Sequence, residues 1–333
     1  MIRTIAALTA CLLANTVQAQ ETLRFASFEP PVAFITSQIL TPWAEEVSAA
    51  SQGTLNIQMF AGGTLGRDPA TQLNLVLNGV ADIAWIIPGY SPGRFDQATI
   101  VELPFVVPSA EAGSVAAARM VEEGLWSGGG FDDVVVLGMF ATSPGHLVTT
   151  EPVSELADVA GLDLRGAGPV LLGTAAALGG TPVGGIPGPR IAETMSRGVI
   201  DGTISEWNAL QTFRILDVAE HHMVLPLGSV ALMVVMNKDR YESLPEAARA
   251  AIDAADGEVF AQRFGSMFDA NNAAVYAEAS ANEDQTIIFP SDNEAALWQA
   301  TTASVVDEWV ASRDGGQALM DAFMAEIGDV STD

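Results

Sequence analysis

Cysteine is almost absent. The only one in the 333 residues is Cys11, inside an apolar N-terminal stretch. A chain of this size without further cysteines relies on its core rather than on disulfides, and thiol catalysis is excluded beyond that stretch. Basic side chains are also scarce, with 14 Lys and Arg against 41 Asp and Glu and a formal charge of −27. Such a balance excludes the electrostatic footprint of a nucleic-acid binder and opposes anionic membrane surfaces; it reads as a solubility device. The familiar catalytic signatures are missing: no G-x-S-x-G elbow, no Walker A lysine and no H-E-x-x-H. Of three histidines, His221 and His222 are neighbours whose side chains diverge, leaving only His146, so no metal site and no cofactor is expected. No run after the N-terminus is long and apolar enough to span a bilayer.

What is present points to a large core, since 49% of residues are hydrophobic and only 17% charged. Residues 1–19 read as a cleavable secretory signal, with Arg3 ahead of an apolar run over 5–14 and Val17-Gln18-Ala19 as the cleavage site. Leu8-Thr9-Ala10-Cys11 also resembles a lipoprotein box, but it leaves almost no apolar run before the cysteine. Cleavage of 19 residues from 333 leaves a mature, exported, periplasmic chain of 314.

Periodicity alternates between 2 and about 3.6 along that chain. Strands are expected at 22–28, 54–60, 81–87, 133–141, 146–150, 162–165, 230–237 and 285–289, with helices at 33–51, 69–79 and between most of the others. Strands alternating with helices predict an α/β class with largely parallel sheets. The length favours two lobes joined by several chain crossings. One long helix or a near-continuous pair is expected from Leu244 to Glu283, bracing both.

One arginine stands out. Arg165 ends a short strand in "GLDLRGAG" and precedes a glycine-rich entry into an apolar helix at Pro169. Ligand crevices of open α/β sheets lie beyond strand C-terminal ends, and a guanidinium there offers a bidentate fork to an anion. The competing reading is a structural ion pair. Among the scarce aromatics, Phe28, Trp85 and Trp207 are candidates for core or ligand contact, Trp85 being the one best suited to the core.

The ordered series "LGRDPATQLNLVLNGVADIAW", "ELPF", "DVAGLDLRGAG", "LGGTPV", "RGVIDGTISEW" and "MNKDRYESLP" resembles the DctP-like solute receptors of tripartite ATP-independent periplasmic (TRAP) transporters, from about Leu23 to Ile252. The resemblance implies a type II-like periplasmic binding protein: two α/β lobes closing over a cleft, bridged by a long helix. On that frame, 20–142 with 231–271 form one lobe and 143–230 with 272–333 the other. Arg165 falls on the family's carboxylate clamp, and Ser205, Glu206 and Trp207 follow a pocket-forming segment. The first strand loop (Phe28, Glu29), Ile87, His146, Tyr90 and Arg94 complete the candidate contacts. The regions where dicarboxylate and sugar-acid receptors carry a second arginine hold Phe28, Ile87 and His146 here, which favours a monocarboxylate with an apolar or aromatic body over a dicarboxylate, hydroxy or keto acid or sugar acid. The implied partners are that ligand and the membrane permease subunits, with the receptor a monomer. The rival readings are an exported hydrolase-like enzyme and a binding protein of an ATP-dependent or sensor system.

Overall fold

A computed structural model describes residues 20–330; the expected signal, with Cys11, lies outside the described residues. The strands are β1 Glu21–Ala26, β2 Leu55–Phe60, β3 Ile83–Ile86, β4 Val134–Ala141, β5 His146–Thr149, β6 Asp163–Arg165, β7 Thr181–Val183, β8 Gly202–Ser205, β9 His221–Met223, β10 Ala231–Asn237 and β11 Thr286–Ile288. They form two sheets, ordered β2-β1-β3-β10-β4 and β11-β9-β5-β8-β6-β7.

The alternation in β1 and β2 has the expected origin: Leu23, Phe25, Leu55 and Ile57 face the core while their neighbours are more exposed. The continuous apolar run of β3 is buried on both faces. The sheets are mixed rather than largely parallel, each holding one reversed strand. β10 runs antiparallel to both β3 and β4, and β5 to both β8 and β9. Both strands directly follow one of the two extended crossings between the lobes, whereas β11, which enters the second sheet from the long helix, pairs parallel to β9.

The crossings at 142–145 and 224–230 run side by side. Thr142 N–H donates to the Val230 carbonyl at 3.1 Å and Gly145 N–H to the Gly228 carbonyl at 2.8 Å. Gly228 sits at φ +120°, and a Cβ there would lie 2.2 Å from the Glu102 carbonyl oxygen, so only glycine fits this crossing.

The third connection is the helix Gly257–Ser280. Phe260, Phe264 and Phe268 enter the core of the first lobe, with Phe264 stacked on Phe140 at 4.3 Å, while Val275 and Ala279 enter a core of the second. It is separated at 254–256 from the preceding helix Glu246–Asp253, so the near-continuous pair is the form observed.

The C-terminal helices depart from the expected division of the chain. Trp298 of Asp292–Ala311 packs in the second lobe, but Trp309 and, from Gly316–Val330, Met320, Phe323 and Ile327 pack in the core of the first. The apolar face of Gly316–Val330 packs on the helix Ala110–Glu122 of the first lobe, a long-range fit that periodicity does not encode.

Candidate functional site

β6 ends at the cleft between the sheets, and its last residue, Arg165, is 3% exposed. Its Nε donates to the Ile186 carbonyl at 3.0 Å and its Nη2 to the Tyr90 hydroxyl at 3.0 Å. Among the described residues no carboxylate lies within 4.0 Å of it, which removes the ion-pair reading. A buried guanidinium without an anion is held at a cost in desolvation that an incoming anion would offset.

Tyr90 follows β3 and therefore belongs to the first lobe. Its hydroxyl also accepts the Gly188 N–H at 3.0 Å, so one side chain ties two groups of the second lobe. The lobes meet just beside it. A Cβ on Gly168 would lie 3.0 Å from the Gly89 Cα, and one on Gly89 3.2 Å from the Ala167 carbonyl oxygen, so closure at this point depends on both glycines. Tyr90→Phe leaves the Gly188 and Arg165 donors without their partner. It is expected to shift the protein towards the open form and weaken apparent ligand affinity about 3- to 20-fold, read by calorimetry and small-angle scattering.

The cavity beside Tyr90 and Arg165 measures about 50 Å³, room for a few waters, so a ligand enters only with the lobes parted or the lining displaced. It is lined by polar groups from both lobes, Glu29, Thr142, Arg165, Ser205, Glu206 and Asn208. Apolar walls come from Ile35, Ile87, Ile191, Phe213, Val230, Leu232 and Phe268. Tyr90 also lines a larger groove of about 640 Å³ that carries Arg67 and Arg190. The small cavity holds the convergent buried chemistry.

Three carboxyl groups are buried around Arg165. Burial pushes Glu29 up to about 7, opposed by the Trp85 N–H that donates to its Oε1 at 3.2 Å. Burial raises Glu206 to about 8 against the backbone N–H groups of Ala209 and Asn208, with the nearby Glu29 charge adding to the rise. Those amides, at 2.9 and 2.6 Å, begin the helix Trp207–Thr212, which Glu206 caps. Glu102, wholly buried, also rises to about 8 by desolvation, opposed by the Ala231 amide and the Arg165 charge.

The structure brings Glu29, Ile87, Tyr90, Arg165, Ser205 and Glu206 to one cavity. It does not bring Phe28, Arg94, His146 or Trp207 there. Phe28 lies in the first-lobe core. Arg94 is ion-paired with Asp133 on the surface, its charge already answered. His146 and Trp207 stack on one another at 4.4 Å in the second lobe, with His146 Nε2 3.0 Å from His222 Nδ1. Burial and then the His222 charge hold His146 well below the usual histidine range, so it is neutral and structural. The apolar walls come instead from Phe213 and Phe268. Nothing in their helical patterns separates cavity-facing from core-facing residues. Glu102 stands in the "ELPF" segment, where its apolar neighbours are the one local hint of burial.

The family model described as "Bacterial extracellular solute-binding protein, family 7" (DctP) matches residues 25–313. A curated relative, "Outer membrane transporter protein TsaT" of Comamonas testosteroni, is 29% identical over 96% of both chains. A marine-metagenome TRAP solute binding protein specific for aromatic acid ligands, crystallised with 3-hydroxybenzoate, superposes with a TM-score of 0.88 at 30% identity, covering 93% of this chain and 98% of its own. A TRAP solute binding protein from Rhodoferax ferrireducens T118, holding copurified benzoate, gives 0.87 at 29% identity, over 94% and 99%.

Proposed function

Because the chain belongs to the family 7 extracellular solute-binding proteins, the receptors of TRAP transporters, we propose that it captures a small aromatic monocarboxylate and presents it to a membrane permease. The observation that carries this reading is Arg165, a buried cation at the cleft with no carboxylate partner among the described residues. The ligand carboxylate supplies the missing charge, and the walls formed by Ile35, Ile87, Phe213 and Phe268 take the ring. The 3-hydroxybenzoate and benzoate held by two relatives of similar structure support the ligand class.

In the mechanism, the open receptor carries Arg165 hydrated. Closing the lobes around an empty cleft strips that hydration and leaves the charge unanswered, whereas closing around a carboxylate replaces water with charge-assisted hydrogen bonds. The ligand thus binds the closed form more tightly than the open one, which is what shifts the population. Tyr90, already bonded to Arg165 and Gly188, joins the lobes over it. The paired crossings at 142–145 and 224–230 are the natural hinge. The closed pair of lobes is then the form that docks on the permease, with the signal at 1–19 delivering the chain outside the cytoplasm. Relatives of this family bind solutes rather than transform them, and the cavity is used here in the same way.

Isothermal titration of the mature protein against benzoate, hydroxybenzoates, succinate and glucuronate tests this. One-to-one binding of at least one benzoate-class acid, with the ligand recovered unchanged, is the expected result. Preference for succinate or glucuronate, or appearance of product, overturns it.

A further inference from the structure

The cavity is not uniformly basic. Besides Arg165 it contains a carboxyl group that is only half used, and that asymmetry bears on which aromatic acid fits. Glu29 follows β1 and is 4% exposed. Its Oε1 is fixed by the Trp85 N–H at 3.2 Å, and Trp85 is itself immobilised between Phe140 and Phe264 with ring centroids at 6.0 and 5.9 Å. The other oxygen, Oε2, is buried and has no hydrogen-bond partner. Glu206, from the opposite lobe, lines the same cavity, but both of its oxygens are committed to the amides of Asn208 and Ala209. Glu29 Oε2 is therefore an unpartnered polar atom, an acceptor whenever the carboxyl is ionised, on a side chain that lines the cavity and is held by a rigid indole.

We propose that Glu29 is a specificity-determining residue that selects, among aromatic monocarboxylates, those carrying a ring hydroxyl, whose proton is donated to Oε2. This rests on the aromatic-acid reading above and deepens it. The cleft is bipolar: the donors of Arg165 on the second lobe receive the ligand carboxylate, and the acceptor of Glu29 on the first lobe receives the hydroxyl. One molecule then bonds both lobes, and closure completes both contacts together. An acid without a donor would leave Oε2 buried and unpaired on closure, a penalty that sites built for a hydroxyl impose on analogues lacking it.

The test compares the wild type with Glu29→Leu and Glu29→Gln by calorimetry, using benzoate, the three hydroxybenzoate isomers and the three methoxybenzoate isomers. In the wild type at least one hydroxybenzoate is expected to bind tenfold or more tighter than both benzoate and the methoxy isomer of the same position. In Glu29→Leu that ratio should fall to within about threefold of unity while benzoate still binds. Glu29→Gln keeps a carbonyl acceptor and should retain part of the preference, provided that it melts like the wild type. A hydroxyl preference that survives in Glu29→Leu, or no preference in the wild type, overturns the assignment. If no benzoate-class acid binds at all, the ligand-class reading itself falls, and this inference falls with it.

Discussion

Replacing Arg165 with alanine is expected to weaken binding of the cognate acid at least 100-fold while leaving the protein folded. Each charge-assisted hydrogen bond from a guanidinium contributes about 1.5–3 kcal/mol, so losing a bidentate pair removes roughly 3–6 kcal/mol, beyond the 2.7 that a hundredfold change requires. The effect on stability has opposing parts. Alanine removes the bonds to the Ile186 carbonyl and the Tyr90 hydroxyl, which is destabilising. It also removes a buried cation that lacks an anion, which relieves a desolvation cost. Arg165→Lys keeps the charge but not the planar fork, and should fall between the two. Calorimetry on the three proteins, with thermal melts alongside, measures both quantities. Unchanged affinity in the alanine variant would remove the clamp.

Why Arg165 was readable from sequence while much of its surroundings was not follows from how the signals arise. A scarce cation at the end of an alternating run, before glycines and Pro169, is a local conflict with its setting, and such conflicts mark sites. β1, β2 and β3 were equally legible because alternation or a continuous apolar run reports burial directly. β7, β8 and β9 are no shorter than β6 or β11, but Thr181-Pro182-Val183, Gly202-Thr203-Ile204-Ser205 and His221-His222-Met223 carry neither an apolar run nor a clear alternation. The reversed strands β5 and β10 could not be oriented from sequence, since direction is set by where the chain crosses between lobes. Trp207 shows a subtler limit. It stands beside Glu206, and the resemblance places both after the pocket-forming segment. At a helix start, consecutive side chains diverge by about 100°, so Glu206 turns back on its own amides while Trp207 drops onto His146 and His222. Phe268 sits one and two turns beyond Phe264 and Phe260 on the bridging helix and was indistinguishable from them, although it alone of the three reaches the cavity.

Glu102 should make stability fall as pH rises, and Glu102→Gln should abolish that fall. Its carboxyl is wholly buried and neither oxygen has a hydrogen-bonding partner of normal geometry, so the folded protein holds the proton to about 8 instead of the usual 4.5. The sign follows from proton counting. Between these two values the folded state binds more protons than the unfolded state, so stability is fullest below about 4.5 and is lost progressively up to about 8. At about 1.4 kcal/mol per unit, the loss over the whole window is on the order of 3–5 kcal/mol. Glutamine is neutral throughout and nearly isosteric. Near pH 4.5 the variant should match the wild type or fall slightly below it, because its amide brings donors that the site does not satisfy. Near pH 9 it should be more stable by that same 3–5 kcal/mol, a difference large enough to resolve in urea melts at both ends. Taking the variant against the wild type at each pH cancels the titration of the remaining carboxylates and isolates this one group. A difference that does not change with pH would mean that Glu102 is already ionised at neutrality, with the Arg165 charge outweighing its burial.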